Sequence, residues 1–140
     1  MAGKPISGII MPSLDANCLL RWLLDDIPEQ TVQVTALVNS GESVYVADVA
    51  LIETVFVLEK LKKISRETIA KAVNAVIRKD TILCNRDLMM EVLPVYTGHP
   101  KLSFVDCYLE VLSRRTGNAP LLTFDRKLAN QLSGAQLLFS

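Results

Sequence analysis

The sequence predicts an α/β fold with a central, mostly parallel sheet, and three observations carry that reading. Short apolar runs of strand length alternate with helical segments along the 140 residues, the pattern that lays helices on the faces of a parallel sheet. Asp15, Asp48 and Asp125 each stand where an apolar run gives way to a helix, and such sheets bind ligands at those strand ends. Hydrophobic residues make up 50% of the chain and charged residues 21%, a composition that buries a core rather than staying disordered.

The elements follow in order. Residues 8–14 read as a first strand, with Pro12 at an edge or a bulge. Ala16–Leu24 reads as a helix, and a second starts at Pro28 and runs to Val38, closed by Gly41. Residues 44–47 are a short buried strand, after which Asp48 caps a helix running to Leu61. Ser65 caps an amphipathic helix whose Ile69, Ala70, Val73, Val76 and Ile77 share a face. Residues 85–96 read as a helix that Pro94 kinks or ends early, followed by a Gly98-His99-Pro100 turn. Residues 103–115 form the next helix, stopped by Gly117. Residues 121–124 are a strand, 125–132 a short helix and 137–139 an edge strand.

The length fits one domain, residues 1–140. Lys and Arg number 15, as do Asp and Glu, so the net charge is zero and any basic patch for a nucleic acid must be local. Cys18, Cys84 and Cys107 lack the spacing of a zinc site and read as reduced residues of a cytoplasmic protein. The apolar stretch 8–24 is interrupted by Pro12, Asp15 and Arg21, which excludes a membrane span there.

The acids carry the chemistry. Glu53 interrupts the apolar run 49–58 on a helix apolar around most of its circumference, which predicts a buried helix. An ionised Glu53 near Val49, Phe56 and Val57 then needs a cationic partner or a metal. Lys60 shares its face but lies roughly 10 Å away, at about 1.5 Å of rise per residue. Asp15 and Asp125 serve equally well as helix N-caps. Asp106 completes a capping box with Ser103; its position beside Glu110, opposite a stripe of Phe104, Val105, Tyr108, Leu109 and Leu112, faces water. Taken together, carboxylates converging at one end of a sheet repel one another and call for cations. Oxygen ligands without His or Cys select Mg²⁺ or Mn²⁺ over zinc. Such ions also bind substrate phosphates, which points to phosphoryl chemistry.

The segments Ser13-Leu14-Asp15-Ala16-Asn17, Leu51-Ile52-Glu53-Thr54-Val55, Ser103-Phe104-Val105-Asp106 and Leu122-Thr123-Phe124-Asp125 resemble, in order and interval, those of the PIN-domain ribonucleases. The resemblance covers residues 9–138. Within that family the chain looks most like the VapC-type toxins of bacterial toxin–antitoxin pairs, through its Leu-Ile-Glu-Thr-Val and Thr-Phe-Asp-Arg-Lys runs. The resemblance implies a three-layer α/β/α domain and a metal-dependent endoribonuclease. It also implies an acidic quartet of Asp15, Glu53, Asp106 and Asp125, supported through hydrogen bonds by Asn17 and Thr123. A homodimer and a small antitoxin partner that covers or fills the cleft are implied as well. Pro12, Pro94 and Ser103, which stands where many relatives carry a further acid, depart from the pattern.

An RNA substrate approaching an acidic pocket needs cations at the rim, for which Lys101, Arg114, Arg126 and Lys127 are the candidates. Aromatic residues are only 6% of the chain and do not interleave with basic ones, so no base-stacking platform is expected. His99 reads as a surface turn residue. Two other classes compete. In a catalytically silent interaction domain the acids only cap helices and the Ile69 to Ile77 face binds a partner. An aspartyl-phosphate phosphohydrolase would use Asp15 as nucleophile, but it would need a second Asp where Asn17 stands.

Overall fold

In the computed structural model, which describes residues 11–139, every strand pairing is parallel. Val44–Tyr45 (β1) lies in the middle of one group. Val44 and Val46 donate to the carbonyls of Thr81 and Leu83, pairing β1 with Ile82–Leu83 (β2). On the other edge Tyr45 donates to the Pro12 carbonyl and accepts from the Leu14 N–H. Of the first strand expected over residues 8–14, the described residues show a single parallel bridge, Ser13 to Tyr45, while residues 8–10 lie outside the described ones. Pro12 opens this pairing with its carbonyl, so its missing N–H is not required. Leu121–Thr123 (β3) and Ala135–Leu137 (β4) form the second pair.

Local signals set the helix starts. Asp15 caps Ala16–Leu24 (α1), and Pro28, with φ already fixed, opens Pro28–Val38 (α2). Ser65 caps Arg66–Arg78 (α4), Ser103 caps Phe104–Arg115 (α6) and Asp125 caps Arg126–Gln131 (α7). At the end of α6 the N–H of Asn118 bonds the Ser113 carbonyl and that of Gly117 the Arg114 carbonyl. This Schellman closure needs the left-handed φ of 74° at Gly117.

The elements differ from expectation at five points. The helix from Asp48 is not continuous to Leu61: Asp48–Phe56 (α3) gives way to a π-helical turn at Val57–Leu61. Asp48 is its first helical residue, not its cap, and Ala47 stands at the cap position. Arg86–Gly98 (α5) runs through Pro94. Pro94 and Met90, whose carbonyl loses its donor, are both exposed, so water can satisfy that carbonyl. β2 was not anticipated, and β4 begins two residues before the expected 137–139.

Helix packing positions the site. α1 packs on α2 and α3, α3 on α6, α6 on α5 and α5 on α4, around a core that includes Leu19, Val44, Leu51, Ile69, Met89 and Tyr96. α3 thus sits between α1 and α6, and β3 feeds α7 next to α6. Among the described residues no helix is long and apolar enough to cross a membrane.

Candidate functional site

Asp15 follows the 12–14 segment and its Oδ1 accepts the Cys18 N–H at 2.9 Å. That bond holds its carboxyl below the ordinary carboxylate value, so it is ionised at neutral pH. Asp15 and Asn17 line an open cleft of about 270 Å³ together with Arg21, Gln30 and Gln33. Arg21 leans towards Asp26, its Nε 3.2 Å from the carboxylate without hydrogen-bond alignment. At the other end of the chain, Asp125 Oδ1 accepts from Lys127 N–H at 2.9 Å and Leu128 N–H at 3.2 Å. Thr123 Oγ1 accepts the Asp125 N–H at 2.9 Å, so Thr123 shapes the turn that presents the acid.

Asp106 lies half-buried in the first turn of α6, where its N–H donates to Ser103 Oγ at 3.1 Å. Only this half of the capping box forms among the described residues. The Asp106 carboxylate does not return a bond to Ser103 and stays available.

Glu53 is not in a buried environment. The buried side of α3 is Ala50, Leu51, Thr54 and Val55, with the Thr54 hydroxyl donating to the Ala50 carbonyl. Glu53 shares the opposite, open face with Val49 and Phe56, which are 63% and 58% exposed. A helix apolar all round has no unique phase, so the wheel alone chose the wrong side. α6 is rotated from expectation in the same way. Glu110 is buried beside Cys107 and Val111, while Val105 and Leu109 stand at the surface.

A charge pair compensates Glu110 on the face that α6 buries with Phe104, Cys107 and Val111. Arg114 Nε binds Glu110 Oε2 at 2.7 Å, and Arg114 Nη1 binds Glu91 at 2.7 Å. Gly134 lets the carboxylate settle there, since a Cβ at that position would lie 1.9 Å from Glu110 Oε2. Arg114 is therefore occupied by two acids and is a poor candidate for holding a phosphate. Lys101, Arg126 and Lys127 are exposed and make no ion pair among the described residues.

Asp26, Glu59, Glu91 and Glu110 have cationic partners, whereas Asp15, Glu53, Asp106 and Asp125 have none among the described residues, a condition they share with Asp25, Glu29, Glu42, Asp48, Glu67, Asp80 and Asp87. As they lie, no three His, Cys, Asp or Glu side chains among the described residues stand in a group that could hold a metal ion. The donor chemistry of the quartet, oxygen only and uncommitted to cations, fits a hard divalent ion. The arrangement is open, with Glu53 projecting from an exposed face. Sequence reasoning missed two features nearby. Asp48 accepts the Tyr108 hydroxyl at 2.6 Å, tying the start of α3 to α6, and burial with that bond pushes Tyr108 up to about 12. Phe124 and Phe139 pair on the surface beside Asp125.

The family model of the PIN domain matches residues 13–131, a span that contains all four acids. No curated protein matches the chain. PIN domains are in general nucleases and typically use divalent metal ions. With a parallel α/β architecture and a family match over most of its length, the chain belongs to the PIN-domain family.

Proposed function

We propose that the chain is a divalent-metal-dependent endoribonuclease that hydrolyses RNA phosphodiester bonds, acting as the VapC-like toxin of a toxin–antitoxin pair. One observation carries the reading: Asp15, Glu53, Asp106 and Asp125 all fall within the match to the PIN-domain family. The absence of a Lys or Arg partner on any of the four among the described residues is compatible with cation binding, although other acids of the chain share it.

In this proposal Asp15 and Asp106 hold Mg²⁺ or Mn²⁺, and Glu53 and Asp125 reach it directly or through water. When bound, such an ion lowers the pKa of water and offsets charge on a phosphodiester. Asp15 contributes a carboxylate already ionised at neutral pH. Thr123 fixes the Asp125 backbone and Asn17 lines the cleft beside Asp15. Arg126, Lys127 and Lys101 hold flanking phosphates of the strand.

The remaining parts of the proposal are a single domain of residues 1–140 working in the cytoplasm, a homodimer, and a small antitoxin that covers the cleft. An apolar groove between α3 and α6, lined by Ile52, Phe56, Phe104 and Val105, supports burial of this side by a protein partner.

A Mn²⁺ titration followed by thermal melting tests the metal site. Wild type is expected to gain roughly 10 °C at a hundredfold excess over Kd. Asp106→Asn, which removes no cap, is expected to melt like wild type without metal and to gain little with it. Absence of a shift in wild type would leave the silent interaction domain as the reading.

A further inference from the structure

The ring of Phe124 lies 5.8 Å from that of Phe139, tilted by 33°, and each residue is 71% exposed. The parallel pairing of β3 and β4 brings them together from positions 15 residues apart, with the Leu138 N–H bonded to the Thr123 carbonyl at 2.9 Å just before the two rings. Sequence order hides this pair, which is why no aromatic platform was expected. We propose that Phe124 and Phe139 form a stacking platform for unpaired nucleobases of the RNA strand held at Asp125, an inference that rests on the ribonuclease reading.

Charge complementarity selects this occupant. Phe124 immediately precedes Asp125, and Arg126 and Lys127 follow it. With consecutive Cα atoms about 3.8 Å apart, ring, carboxylate and first cation arise within roughly 8 Å of chain. Both cations are exposed and without ion pairs among the described residues. A single strand of RNA presents the matching alternation, flat apolar base faces and anionic phosphates. A purely apolar partner surface would leave Arg126 and Lys127 desolvated and uncompensated. Bases inside a duplex are already stacked on their neighbours, so the platform favours single strands or loops.

Binding is measured in EDTA, where cleavage is suppressed, by fluorescence anisotropy of a labelled single-stranded RNA and of the same RNA annealed to its complement. Phe124→Ala and Phe139→Ala are each expected to weaken single-strand binding about 5- to 150-fold, the range for loss of one base–aromatic stack. Duplex binding and sedimentation mass should stay as in wild type, and Phe124→Tyr should restore single-strand binding. Equal single-strand affinity in wild type and both Ala variants would overturn the platform. So would a fall in sedimentation mass with RNA affinity unchanged, which would assign the pair to contact with a second copy. Adding Mn²⁺ separates the two claims. If the Ala variants bind and cleave like wild type, the platform falls and the ribonuclease reading stands; if wild type neither binds nor cleaves RNA, both fall.

Discussion

Asp15 combines two roles in one side chain, since Oδ1 caps α1 while the carboxylate has no Lys or Arg partner among the described residues. Substitution separates them. Asn caps helices as well as Asp does, so Asp15→Asn should melt in urea within about 0.5 kcal/mol of wild type. It should still lose at least about 100-fold in metal-dependent cleavage, through lost charge at the ion. Asp15→Ala should lose the cap as well, about 1 kcal/mol. The acids were legible because each breaks an apolar run or stands at a helix start. The orientation of Glu53 was not, because Val49 and Phe56 on its own face are as apolar as the buried Leu51 and Val55 on the other. The same ambiguity hid Glu110, whose burial depends on Arg114 and on the missing side chain at Gly134, contacts no helical wheel contains. Arg114→Ala would strand that buried carboxylate and should cost about 3 kcal/mol in urea denaturation.

At the level of elements, α5 and α6 are joined by Glu91, which receives Arg114 at 2.7 Å and Arg115 at 2.9 Å. The Arg115 bond first, then that of Arg114, holds the Glu91 carboxyl below its ordinary value of 4.5. A carboxyl depressed in the folded state stabilises the protein above its ordinary value and loses that contribution as pH falls through the lowered one. Wild type should therefore lose stability more steeply than Glu91→Gln as pH drops below 4.5, with the difference between them shrinking towards zero in acid; parallel melting curves for the two proteins would contradict the pairing. Elements with explicit start signals were legible to the residue: Asp15 and Pro28 set α1 and α2, and Ser103 and Gly117 set α6. The two-residue strand β2 carries too few residues to show a period. The break of α3 into a π-helical turn has no Pro or Gly to announce it.

The whole molecule carries no net charge, so RNA affinity should depend on a few local contacts. With Lys101, Arg126 and Lys127 each on one phosphate, the logarithm of single-strand affinity should fall with the logarithm of salt at a slope of about −2. A slope near zero would remove these residues from the interface. The parallel α/β class was legible from the alternation of elements, and the family from four short acidic motifs in order. How closely the four carboxylates approach one another was not, because it depends on helix phase and on a cation. The most direct test of the central claim is cleavage of a pool of structured RNAs by purified protein with Mn²⁺, with EDTA, and with Asp15→Asn or Asp106→Asn, the new ends being sequenced. Cuts at a preferred site that need Mn²⁺ and disappear in both variants are expected; cuts that persist in EDTA or in either variant, or no cuts by wild type, would rule out a metal-dependent ribonuclease built on these acids.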